Sequence, residues 1–214
     1  MKVGFKGNPN IGSVVLNQFS GSQHYKNFAN GFEQGDRIFI ISSIFGGTGA
    51  SGFPLLLKTI RTDKSSQAWS IISKSKIGAV TVLPYFNVTE DENSGVDSAT
   101  FISKTKSALS YYEKNISENG SIDALYYLGD NVKALYDNND GGSKQKNSAH
   151  FIELAAALAV LNFAATPDEK LEDMPLHYEY GLETTKDPKA QVTFQDFGKE
   201  TRDLLYGPLT QASR

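Results

Sequence analysis

The segment "IFIISSIFGGTGASGFPLLLKTIR", from Ile38 to Arg61, constrains this chain more than any other. Arg37 to Ile44 is a near-continuous apolar run, the pattern of a strand buried on both faces in a parallel sheet. Phe45 to Gly49 is a glycine turn. Ser51 is placed to cap a following helix that runs to about Thr62, with Pro54 tolerable in its first turn, where the missing N–H costs nothing. A buried strand, a glycine turn and a helix in direct succession point to an α/β fold.

The rest of the chain repeats this alternation. Met1 to Ser13, rich in Gly, Asn and Pro, reads as a loop. Val14 to Phe32 reads as a broken helix, with Val15, Phe19, Phe28 and Phe32 near helical spacing and Ser20-Gly21-Ser22 interrupting it. Lys76 to Leu83 is a second buried strand and Pro84 to Asp97 a polar, acidic loop. Ala99 to Glu118 is an amphipathic helix with Phe101, Ile102, Ala108, Leu109 and Tyr112 on its apolar side. Ile122 to Leu128 is a third strand and Asn131 to Asn147 largely loop. Ser148 to Ala165 is a strongly apolar central helix. After Thr166-Pro167 the chain turns acidic and irregular, with a last helix over Phe197 to Tyr206. This is a three-layer, Rossmann-like α/β pattern with a parallel sheet. Ligands of such sheets bind outside the carboxyl ends of the strands. The glycine turn, the loop after Leu83 and the loop after Leu128 all lie there. The 214 residues suit one domain with a small appendage, 1–165 and 166–214 respectively.

Charge and composition remove several functions. A formal net charge of -3 gives no general attraction to nucleic acid or anionic membrane. With no cysteine there is neither a disulfide nor a thiolate metal site. His24, His150 and His177 are far apart and form no HExxH-like spacing, so no metal site is expected. No apolar segment is long enough to span a bilayer, and the first residues carry no signal-peptide core. The expected location is cytoplasmic.

Gly47, Gly49 and Gly52 form GxGxxG between strand and helix. Small residues there let the backbone approach a phosphate, and the N–H groups of a helix N-terminus attract it. A purely structural tight turn, a dinucleotide site and a nucleoside di- or triphosphate site all fit that pattern. The dinucleotide reading asks for an acid at the end of the next strand. That strand ends Thr81-Val82-Leu83-Pro84-Tyr85-Phe86, and the nearest acids, Glu90 and Asp91, lie well into the loop. A Tyr-x-x-x-Lys pair is also missing, since Tyr111 is followed by Asn115 and Tyr112 by Ile116. No Gly-Lys-Ser/Thr follows the turn, which excludes a Walker-type loop.

Five segments come in one order: "GFKGNPNIGS" from Gly4, "DRIFIISSIFGGTGASGFP" from Asp36, "IGAVTVLPYF" from Ile77, "DALYYLGDNVKALYD" from Asp123 and "KNSAHFIELAAALAV" from Lys146. That order, covering most of Gly4 to Phe163, resembles the tubulin/FtsZ family of GTPases. The resemblance implies a tubulin-type nucleotide-binding domain that takes GTP or GDP, with Mg²⁺ accompanying the phosphates. Gly46, Gly47, Thr48 and Gly49 match the family's phosphate signature, with Ala50-Ser51-Gly52 replacing its usual Ser/Thr-Gly ending. Gly7 and Asn8 match its terminal-phosphate loop. Asn131 and Asn147 match the two guanine-contacting positions, where an amide offers both a donor and an acceptor.

In that family GTP is cleaved at a contact between subunits, so the partner implied is a second copy of the chain, in a homo-oligomer or filament. The matching loop here is Gln191 to Asp196, in which Asp196 stands at the second acidic position and Thr193 replaces the first. The acidic cluster Asp168, Glu169, Glu172 and Asp173 reads as a solvated loop. Set against the family, this chain starts at the terminal-phosphate loop and has no room for the usual C-terminal domain, so a fragment or an N-terminally truncated domain is expected. The strand at Arg37 to Ile44 would then be an open apolar edge, which invites self-association. Two alternatives stand beside the GTPase: a non-hydrolysing relative that only self-associates, and a Rossmann-type NAD(P)-binding protein.

Overall fold

The structure is a computed structural model, and it describes residues 4–5, 7–18, 21–65, 68–89, 98–130, 134–139, 148–172 and 175–180. Four strands form its main sheet: β1 (Ile38–Ser43), β2 (Ile77–Val82), β4 (Ala124–Leu128) and β6 (Leu176–Tyr180), in the order β1-β2-β4-β6. All three pairings are parallel, with Ile38 opposite Ile77, Gly78 opposite Ala124 and Ala124 opposite Leu176. Two short strands, β3 (Phe86–Val88) and β5 (Ala134–Tyr136), follow β2 and β4 and pair with each other in parallel.

Helices cover both faces, because successive side chains of a strand point to opposite sides. Ile38, Ile40, Ile77, Ala79 and Leu125 bury one face against α2 (Gln23–Asn30), α3 (Gly47–Thr62) and α5 (Ser98–Tyr112). Val80, Ala124, Tyr126 and Leu128 bury the other against α6 (Phe151–Ala165). The small Ala155, Ala156 and Ala159 of α6 are all buried on that side. Gly78 serves the same face. A Cβ there would fall 2.8 Å from the rings of both Phe39 and Phe163, which pack with centroids 5.5 Å apart.

Arg37 and Asp123 join the layers at the amino ends of the strands. The Arg37 guanidinium donates to the carbonyls of Phe163 and Thr166, each at 2.7 Å, satisfying the open end of α6, and pairs with Asp168 at 2.5 Å. The Asp123 carboxylate accepts from the Ile77 N–H at 2.7 Å and from Arg61 at 3.1 Å, with the Lys76 ammonium 3.4 Å away.

Several elements differ from the sequence expectation. α1 (Pro9–Leu16) lies within a stretch that reads as loop, because Asn8 caps it and Pro9 opens it. α3 begins at Gly47, so the glycine turn is itself the first turn of the helix and Ser51 lies inside it. Pro54 is therefore interior, and the carbonyl of Ala50 loses its helix donor. The Tyr112 hydroxyl supplies a replacement by donating to Ala50 O at 3.3 Å. Ile102, expected on the apolar side of α5, is exposed, and the helix ends in a wide π turn over Glu113–Ser117. The terminal helix expected over Phe197 to Tyr206 lies outside the described residues.

β1 is an edge strand. The N–H groups of Ile38 and Ile44 donate toward β2, to Lys76 O and Val82 O. By parallel alternation the backbone groups of Phe39 and Ile41 point away from β2. Among the described residues no strand pairs with that side, and Ile41 is 63% exposed. No described helix is long and apolar enough to cross a membrane.

Candidate functional site

The site forms where β1 ends. Gly46 is the N-cap of α3 in extended conformation and offers no side chain to the helix. The first helix bond runs from the Ala50 N–H to Gly46 O at 3.1 Å. The N–H groups of Gly47, Thr48 and Gly49 thus stand free at the helix start, with no acceptor among the described residues. Thr48 is exposed beside them. Ser51 is buried and donates to Gly47 O at 2.6 Å, while the Thr48 hydroxyl lies beside Gly4, 2.9 Å from where a Cβ there would be.

α1 brings a second helix N-terminus to the same place. Gly7 takes a positive φ of 70°, which leads the chain into the helix without strain. The Asn8 side chain accepts from the Ile11 N–H at 3.4 Å, and its own N–H donates to Phe5 O at 2.8 Å. α1 crosses α3 through glycines. A Cβ on Gly47 would lie 2.7 Å from Asn8 N, and one on Gly12 would collide with Ser51 Oγ. Gly49 packs equally closely on the backbone of Ser43, at the end of β1. Gly47 and Gly49 are therefore demanded by packing, while the free N–H groups are a separate property of the same turn. The structure thus brings Gly7, Asn8, Gly46, Gly47, Thr48 and Gly49 together, and two helix dipoles place their positive ends there.

The loops after β2 and β4 close around an aromatic group. Phe45 lies 5.1 Å from Phe101 and 5.6 Å from Phe86, whose ring meets Tyr136. Tyr85 packs on His150 at 4.7 Å, and burial, with Glu153 next, pushes the Tyr85 phenol up from its ordinary value. His150 Nδ1 accepts the Ile152 N–H at 3.1 Å as the N-cap of α6, while Nε2 is 3.5 Å from Asp130. Sequence reasoning missed Gly12 and His150. The Asn-Pro pair at the head of α1 signals the helix on which Gly12 lies, and nothing local signals the cap.

Asn131, Asn147 and Asp196 lie outside the described residues. Asp168, from the acidic cluster, sits with Arg37 at the amino end of β1, at the opposite end of that strand from the glycine turn. Among the described residues no group of three or more His, Asp or Glu could hold a metal ion. Comparison with protein-family models, with curated proteins and with solved structures finds no match.

Proposed function

We propose that this chain binds a guanine nucleotide as a tubulin/FtsZ-type domain and associates with copies of itself. The observation that carries the reading is the pair of helix N-termini, α1 and α3, converging on three N–H groups with no acceptor among the described residues, at the carboxyl end of a parallel strand. A phosphate chain supplies the acceptors such groups lack. In this reading Gly46, Gly47, Thr48 and Gly49 hold the inner phosphates, and Gly7 and Asn8 face the terminal one. Asn131 and Asn147 read the guanine on the strength of the family resemblance. Mg²⁺, held largely by the phosphate oxygens, would offset their charge.

Self-association is supported by the side of β1 that no described strand pairs, where the backbone of Phe39 and Ile41 faces away from β2. Hydrolysis would then need Asp196 from a neighbouring copy, orienting water against the bound triphosphate. The replacement of its companion acid by Thr193 favours a second reading, in which nucleotide binds and is not cleaved.

Phosphate release from GTP, followed against protein concentration, tests the hydrolytic part. A site completed between copies gives a rate per chain that rises with concentration and vanishes in Asp196→Ala. A rate per chain that stays flat, or survives the substitution, refutes the shared site. Absence of turnover with binding retained selects the non-hydrolysing form.

A further inference from the structure

A groove of about 810 Å³ runs between α3 and α5, beginning near Gly46 and ending near Ser121. That volume suits a small-molecule site. Its floor includes Ile44, Leu57, Tyr112 and Ile116, each 2% exposed or less. Its charged lining is of one sign: Lys58 and Arg61 from α3 and Lys104 from α5, with no carboxylate among the described lining residues. This is unexpected in a chain with 24 acidic and 21 basic side chains.

The three cations are not equivalent. Arg61 is fully engaged, donating to the carbonyls of Ser73, Ser75 and Ser121 and pairing with Asp123. The ammonium groups of Lys58 and Lys104 make no hydrogen bond or ion pair among the described residues. Two other polar side chains of that wall are occupied locally. Ser107 donates to Ser103 O and Asn115 to Tyr111 O. The groove thus offers a ligand an apolar floor and one ammonium on each wall with no partner among the described residues, beside the polar side chains of Asn10, Ser13 and Tyr111.

We infer that the α3–α5 groove binds an amphipathic organic anion, with an apolar body of ring size on the Ile44–Leu57–Tyr112–Ile116 floor and its acid group between Lys58 and Lys104. An anion in the groove meets positive charge from both walls, with no carboxylate among the described lining residues to compete for it. The groove shares Gly46 with the nucleotide reading, but neither lysine belongs to the glycine turn, so charge reversal at the lysines tests this end of the groove apart from that reading.

The test uses two probes with the same fused-ring body, 8-anilinonaphthalene-1-sulfonate and the uncharged N-phenyl-1-naphthylamine, titrated by fluorescence. The sulfonate is expected to bind more tightly than the amine. The double variant Lys58→Glu/Lys104→Glu should weaken the sulfonate about tenfold, the sum of two modest ion-pair losses, and leave the amine unchanged. Lys106→Glu, on α5 but outside the groove, should change neither, and Thr48→Val should leave both probes bound whatever it does to nucleotide. Equal affinity for the two probes, no binding of either, or a Lys106→Glu effect as large as that of the groove pair overturns the assignment.

Discussion

The backbone nitrogen of Asn8 stands 2.7 Å from the point where a Cβ on Gly47 would be. The α1–α3 crossing, and with it the convergence of the two helix N-termini, depends on that missing side chain. Gly47→Ala should cost about 1–3 kcal/mol, the range for overpacking a close contact. Gly52 sits in the same helix but would meet only the flexible end of Leu16, at 3.3 Å. Gly52→Ala should be neutral or stabilise by up to about 1 kcal/mol, since alanine is the better helix former. Urea unfolding of both variants checks the contrast. Equal effects would mean that the crossing does not depend on Gly47.

Tyr112 stands in for the helix bond that Pro54 removes. Tyr112→Phe should cost about 1–2 kcal/mol by leaving Ala50 O without a donor. In a Pro54→Ala background the helix supplies that donor, so the cost of Tyr112→Phe should shrink. A double-mutant cycle measures the coupling. Strict additivity would show that the hydroxyl does not compensate for the proline.

The same phenol gives the fold an alkaline limit. Burial holds the Tyr112 hydroxyl well above its ordinary value of 10.0. Above pH 10 the unfolded chain therefore releases a proton that the folded chain keeps, and stability falls as pH rises. The slope from this one group approaches about 1.4 kcal/mol per pH unit. Stability curves between pH 8 and about pH 11.5 should flatten in Tyr112→Phe, the pH span being chosen around the ordinary phenol value. An unchanged slope would place the alkaline sensitivity elsewhere.

Asp123 holds three donors at the amino ends of β2 and β4, with its side chain and that of Arg61 each 16% exposed. Asp123→Ala removes the carboxylate that pairs with Arg61 and Lys76 and leaves the Ile77 N–H without its acceptor, and should cost about 3 kcal/mol. Thermal or chemical denaturation reads this directly. A loss below about 1 kcal/mol, the level of a surface ion pair, would show that water takes over the role of the carboxylate.

The elements legible in the sequence are those with long apolar runs. β2, β4 and α6 announce themselves because both faces of a central parallel strand, and most of a covering helix, must be apolar; β1 reads the same way from its apolar run, although it lies at the edge of the described sheet with Ile41 exposed. β3 and β5 are three residues each and mix Asn or Ala with aromatics, too short for any period to show. β6 carries the alternation Leu176, Tyr178, Tyr180, but it sits in an acidic stretch whose composition reads as irregular. At the candidate site, Gly46 to Gly49 are legible as a glycine turn between a strand and a helix. That the turn would be the helix itself, and that Gly12 would let α1 cross it beside Asn8, are matters of tertiary contact that no local pattern carries.

The measurement that tests the central claim most directly is titration calorimetry of the intact chain with GTP, GDP, ATP and NADH, repeated with Thr48→Val. Thr48 is exposed and outside the core, so the variant should fold as the parent does. Guanine-selective binding that is weakened or lost in Thr48→Val is the expected result. Tighter binding of NADH or ATP than of GTP, or no binding of any of the four, would contradict it.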